Sequence, residues 1–256
     1  MEDFKFSTLA YKRPDCEDMA AFAAKIRERI ERADSYAQVK EALLAYDERQ
    51  KDFFTDASIL HIRHTLDTTD AFYEQENEYY ESTYPTIMPQ LLSVDEALMN
   101  SPYRAELENE YGKQFFAGKE LQKKAFCEAN IPLMQQEAKL CSEYEKLMAT
   151  AQIPFDGKTL NLYGIQKYFE HEDRAVRKGA VRAYSDFFHQ NEERLEAIWD
   201  ELIRTRNQMG RNLGFENYIP LGYMKQGRTD YGQKEVESFR EQVRTVIVPI
   251  CQKLYE

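Results

Sequence analysis

Ile153-Pro154-Phe155-Asp156-Gly157-Lys158-Thr159-Leu160 is the one stretch of this sequence that departs from helical periodicity, and its reading decides the fold. Asp-Gly between two short apolar runs suits a two-residue hairpin turn, in which both central residues take a positive φ. With Asp156 and Gly157 at the turn, Phe155 falls opposite Lys158 and Ile153 opposite Leu160. A lone two-stranded hairpin is marginal in water, so it needs a body to pack on. Everything around it reads as helix. The expected fold is all-α (mainly α): a multi-helix array of long antiparallel helices with one small β-hairpin near residues 153–160.

Upstream, the stretch from Leu121 to Thr150 predicts a long helix with Phe126, Leu133, Leu140, Tyr144 and Leu147 on its apolar side. Pro132 should kink or restart it. Near the start, Asp15 is a candidate cap for a helix carrying Met19, Phe22, Ile26 and Ile30. Ser35 can cap a second, with Val39, Leu43 and Tyr46. Ala57 to Tyr84 holds no Pro or Gly and predicts continuous helix, with Ile59, Ile62, Leu66 and Tyr73 on the apolar side. Pro85 and Pro89 should break it. Ser93-Val94-Asp95-Glu96 has capping-box spacing and should open a short helix. Ser101-Pro102 pairs a cap with a first-turn proline.

Downstream, helices are expected over Asp173 to Phe188 and Asn191 to about Arg211, with Gly214 ending that region. The tract from Phe215 to Gly232 is richer in Gly and Tyr and reads as irregular. A last helix carries Val236, Phe239, Val243, Val246, Ile250 and Leu254. Its apolar stripe still runs at Leu254, so the expectation is an element that continues, or whose partner lies further on.

Composition narrows the function classes. Of 256 residues, 43% are hydrophobic and 31% charged, as in an ordinary globular protein. A net charge of −11 disfavours phosphate backbones and anionic lipid surfaces, so no nucleic-acid or membrane partner is expected. The N-terminus lacks the apolar core of a signal peptide, which points to the cytoplasm. Cys16, Cys127, Cys141 and Cys251 show no C-x-x-C spacing. If Cys127 and Cys141 share one helix they lie about 21 Å apart, beyond disulfide reach, so free thiols are expected.

Chemistry-bearing patterns are few. His171-Glu172 begins like the zincin pattern H-E-x-x-H, which places two imidazoles on one helix face. Position 175 is Ala175, so the second ligand is missing. His61 and His64, with Asp67, fall roughly opposite the face defined by Ile59, Ile62 and Leu66, and should project to solvent or a neighbouring surface. No Glu stands three residues before any histidine, which removes the di-iron pattern of helical bundles. Nucleotide-loop and serine-hydrolase signatures are absent. The residues from Arg204 to Tyr231 are the most promising non-helical surface. Arg211, Tyr218, Tyr223, Arg228 and Tyr231 can line a peptide-binding wall, because Arg grips carboxylates and Tyr offers a ring and a hydroxyl. The same composition also suits a connector whose arginines pair with surplus acids.

Several stretches together resemble the oligoendopeptidase F family of zinc metallopeptidases and its oligopeptidase relatives. They are Tyr11 to Asp15 (YKRPD), Ile62 to Asp67 (IRHTLD), Ile153 to Lys158 (IPFDGK), Asp173-Arg174 with Arg177, and Arg206 to Tyr218 (RNQMGRNLGFENY) leading into Gly227 to Tyr231 (GRTDY). Each is weak alone; in order, they span nearly the whole chain. The resemblance implies an enzyme that cuts short peptides in an internal channel of a mostly helical, two-lobed body. It also implies zinc held by H-E-x-x-H and a downstream Glu, in a later half of the family's chain. None of those ligands can be assigned here. The expectation is a first lobe without its chemistry: residues 1–116 as an N-terminal helical subdomain and 117–256 as the start of the peptidase body, incomplete at its end. Zinc is expected in the complete enzyme and none on this chain. The expected partners are short peptides and a missing catalytic lobe, with possible self-association of the fragment. A free-standing, non-catalytic helical peptide- or protein-binding protein is the alternative.

Overall fold

The structure, a computed structural model, describes residues 5–256. Helices account for most of it. They are α1 (Cys16–Glu31), α2 (Tyr36–Leu66), α3 (Ala71–Asn100), α4 (Arg104–Tyr111), α5 (Lys113–Lys124) and α6 (Ile131–Ala149). The hairpin β1 (Ile153–Phe155) and β2 (Lys158–Leu160) follows. After it come α7 (Leu162–Gln166), α8 (Arg174–Gln190), α9 (Glu192–Asn212), α10 (Ile219–Lys225), α11 (Gln233–Gln242) and α12 (Val248–Tyr255).

The hairpin has the expected register, Ile153 opposite Leu160 and Phe155 opposite Lys158. Asp156 and Gly157 both adopt left-handed backbone, at φ 52° and 69°. Ile153 is buried in a cluster with Ala151, Leu162, Ile165, Ala180 and Phe187. Burying a side chain of this size contributes about 2 kcal/mol, which holds a hairpin too short to persist alone.

The chain forms two compact units. One comprises residues 1–22, 44–88 and 131–205; the other comprises 23–43, 89–130 and 206–256. The first unit contains the hairpin cluster and a core of Met19, Tyr46, Phe53, Leu60, Ile87 and Ile198. The second is built on Ile26, Leu43, Leu98, Leu107, Phe116 and Leu221, all nearly inaccessible to solvent.

Several helix boundaries differ from the sequence reading, each for a physical reason. The helix expected through Ala57–Tyr84 is interrupted at Asp67–Asp70. Asp67 accepts from the Thr69 amide (3.0 Å) and hydroxyl (2.6 Å). Asp70 caps α3 through the Phe72 and Tyr73 amides. The prolines expected to end the next helix sit inside α3 instead. Their missing donors fall four residues apart, on one stripe, and buried Pro85 and Ile87 keep the segment packed. Ser93 opens no helix; its hydroxyl donates to the Gln90 carbonyl within α3. Pro132 restarts a helix, α6, so Cys127 lies in the preceding connector and does not share a helix with Cys141. All four cysteines are free. The Cys16 thiol is pushed up to about 11 by burial and by Asp15, the setting of an inert core residue. The tract expected to be irregular contains α10, entered through Pro220 in its first turn. The final helix is continuous except for a π turn at Val243–Ile247, just before Pro249, which has no amide to donate.

Candidate functional site

The tract that ends α9 and includes α10 is set by its local chemistry. Gly214 has φ +85°, and the Phe215 and Gly214 amides donate to the Gly210 and Arg211 carbonyls at 3.0 and 2.9 Å. This is a Schellman termination, which needs the left-handed glycine. The chain then turns back onto α9. A Cβ at Gly210 would lie 2.4 Å from the Asn217 carbonyl oxygen, so only glycine permits the approach. The Asn207 side chain accepts the Tyr218 amide at 3.0 Å. Buried Asn130 donates to the Met209 carbonyl (3.1 Å) and accepts from Asn212 (2.8 Å).

The α10 helix closes with a second Schellman motif. Gly227 has φ +68°; its amide donates to Met224, and the Arg228 amide donates to Tyr223 at 3.5 Å. That motif lays Arg228 over the residue it bonds: its guanidinium carbon is 4.5 Å from the Tyr223 ring centroid and 5.2 Å from that of Tyr231. Next to Arg228, Thr229 accepts from Gln114 (2.7 Å), and the Gly232 amide donates to Glu235 (2.9 Å) at the start of α11. The Gly232 amide, followed by Glu235's own, holds the Glu235 carboxyl below its usual range.

Of the five residues singled out from sequence, the structure brings Tyr223, Arg228 and Tyr231 into one cluster. Tyr218 is in a second arrangement, with the Arg206 and Lys225 cations 5.9 and 5.7 Å from its ring centroid. Arg211 is exposed on α9, and its side chain has no ion pair or hydrogen bond among the described residues.

The histidines take different places. His64 does not face solvent: it is 1% exposed, and its Nε2 lies 2.9 Å from Glu74, which also pairs with Lys146. The buried face of α2 runs Phe53, Ala57, Leu60, His64, whereas Ile62 and Leu66 are 40% and 75% exposed. Polar His64 is inside because Glu74 satisfies it, a pairing hydrophobic periodicity does not reveal. His61 is exposed and lines a cleft of about 530 Å³ with Phe54, Leu60, Asn77, Tyr80 and Glu81. His171 precedes α8; its Nδ1 accepts the Asp173 amide at 3.1 Å. Among the described residues, no three His, Cys, Asp or Glu side chains are grouped so as to hold a metal ion.

A network that the sequence reading missed surrounds Glu76. Tyr11 and Arg13 both donate to it at 2.8 Å, and Arg13 also pairs with its second oxygen. The signal was present in Tyr11 to Asp15, a motif noted only for its resemblance. The other motifs are equally structural: Arg63 donates to Tyr73 at 2.5 Å, and Arg177 to the His171 and Glu172 carbonyls at 2.6 and 2.9 Å.

Residues 6–126 match the Peptidase M3 N-terminal domain. No curated protein matches the sequence. Three solved structures superpose on nearly the whole chain. A candidate oligoendopeptidase F shares 40% identity at a TM-score of 0.95, over 98% of this chain and 45% of its own. PZ peptidase A, solved with an inhibitor, shares 38% at 0.94, over 98% and 44%. A candidate oligoendopeptidase F from Bacillus anthracis str. Ames shares 35% at 0.95, over 99% and 47%. The chain thus spans less than half the length of the proteins it matches, and it belongs to the oligoendopeptidase F-like group of the M3 peptidase family, corresponding to its N-terminal part.

Proposed function

We propose that this chain is the N-terminal lobe of a zinc-dependent oligoendopeptidase that hydrolyses internal bonds of short peptides in the cytoplasm. The observation that carries the reading is 40% identity across 98% of the chain to a protein of which it spans 45%. The zinc ligands and general base then belong to residues outside 1–256. His171-Glu172 lacks a second ligand at Ala175, and His64 is committed to Glu74. In this reading the tract with Arg211, Tyr218, Tyr223, Arg228 and Tyr231 forms part of the substrate-channel wall, and the partners are short peptides and a catalytic lobe. The tract is supported by its fixed backbone and its rings paired with cations, a surface that can meet both peptide carboxylates and side chains. No helix of the described residues is long and apolar enough to cross a membrane.

Two measurements test the proposal. The purified chain, with and without added zinc, should leave internally quenched peptides intact; chelator-sensitive cleavage by a clean preparation would overturn its role as a non-catalytic lobe. The gene should continue past Glu256 into an H-E-x-x-H segment. A native stop codon at that point would instead support a free-standing helical binding protein.

A further inference from the structure

We propose that Arg228 is a carboxylate anchor, its guanidinium taking up a carboxylate of a bound peptide while the rings of Tyr223 and Tyr231 hold it in place. The inference rests on the channel reading above, in that it takes the ligand to be a peptide.

The first observation is an unmet charge. The chain has 45 acidic against 34 basic side chains, and Arg13, Arg49, Arg104 and Arg194 each close on a carboxylate. Arg228 makes no ion pair among the described residues, although Asp230 lies two positions away. Half-buried Arg63 and Arg177 also lack a carboxylate, but their guanidinium groups donate to Tyr73 and to the His171 and Glu172 carbonyls, whereas that of Arg228 donates to nothing among the described residues.

The second observation is how it is held. Its two contacts are aromatic rings, at 4.5 and 5.2 Å from their centroids. A ring face attracts the guanidinium as a whole and uses none of its five N–H donors. Those donors form a planar fork that matches a carboxylate in a bidentate geometry. The hydroxyls of Tyr223 and Tyr231 are likewise without a hydrogen-bond partner among the described residues.

The third observation is rigidity. The segment is tied at the Arg228 amide by the α10 termination, at the Thr229 hydroxyl by Gln114, and at the Gly232 amide by Glu235. The fork is therefore placed before a ligand arrives, and little ordering cost remains to be met on binding.

The carboxylate has two possible sources in a peptide: its C-terminus or an Asp or Glu side chain. The test titrates the 256-residue chain with Ala-Phe-Ala-Phe-Ala as the free acid, with the same peptide as its C-terminal amide, and with the amide carrying Glu at its centre. The readouts are affinity, the Arg228 Nε–H signal (identified by its loss in Arg228→Lys) and the Tyr223 and Tyr231 ring signals. The free acid should bind at least about tenfold tighter than the plain amide and move the Arg228 signal, as loss of a charge-assisted bond predicts. Arg228→Lys, which keeps the charge without the fork, should erase most of that preference at an unchanged melting temperature. Recovery of tight binding by the Glu-containing amide identifies the side-chain source; its failure to recover identifies the C-terminus. If acid and plain amide bind equally and move the tyrosine signals alike, the carboxylate inference falls and the channel reading stands. If no peptide moves any of these signals, the channel reading falls and takes the inference with it.

Discussion

Glu76 is a carboxylate 4% exposed that stays ionised because Arg13 and Tyr11 donate to it. Arg13, ahead of the opposing effect of burial, holds its carboxyl below the usual range. The same network shifts Tyr11 the other way: burial, then the bond to Glu76, pushes its hydroxyl up. A depressed carboxyl contributes stability that is fully present above its unfolded value, about 4.3, and that is lost as pH falls through the lower folded value. Glu76→Gln should therefore be less stable than the parent at pH 7 and show a flatter loss of stability below about pH 4, measured by urea unfolding across pH. Equal slopes for the two proteins would remove Glu76 from the acid response. Gly210 supports a second prediction at this scale. With a Cβ only 2.4 Å from the Asn217 carbonyl oxygen, Gly210→Ala should cost about 2 kcal/mol and displace Tyr218 from Asn207. An unchanged melting temperature would show that the return of the chain onto α9 is not tight.

At the scale of elements, the β1–β2 hairpin was legible to the residue because Asp-Gly states its turn type directly. Gly157→Ala keeps open space around the new methyl but forces alanine into left-handed backbone, so a loss of about 1 kcal/mol is expected by thermal unfolding. No loss would mean the turn relaxes. The caps at Asp15 and Ser35 were legible for a similar reason, since a short acceptor before a helix bonds its free amides. What stayed hidden was decided by caps that no Gly or Pro announces and by burial that the rest of the chain sets. Two aspartates three residues apart, Asp67 ending α2 and Asp70 opening α3, interrupt a stretch in which no Gly or Pro marks the break. Pro85 and Pro89 were read as breakers because local preference knows nothing of the burial around Ile87. His64 was turned outward on the strength of Ile62 and Leu66, which are themselves exposed. At the candidate site the residue types were readable, and the grouping was not. Tyr223, Arg228 and Tyr231 meet only because Gly227 ends α10 as it does, and Arg211 sits apart from them.

At the scale of the whole molecule, the apolar stripe of α11 and α12 stands out. Phe239, Ile250 and Leu254 are 64%, 52% and 79% exposed, and Val246 lies between them at 56%. An apolar face of this length favours association. The isolated chain should self-associate as its concentration rises, and Phe239→Asp with Ile250→Asp should return it toward monomer, both by sedimentation velocity. A monomer at every concentration would count against the prediction. The division into two compact units has a different consequence. Each unit draws on three separate chain segments, and the first is not complete until residue 205. During synthesis, at roughly 5–20 residues per second, residues 1–22 would wait on the order of ten to forty seconds for their last partners to leave the ribosome. Neither unit can fold as an early, finished module. The nascent chain must keep the apolar sides of its first three helices from aggregating throughout that interval, so slowed translation or loss of a holdase should reduce soluble yield more than any single surface substitution.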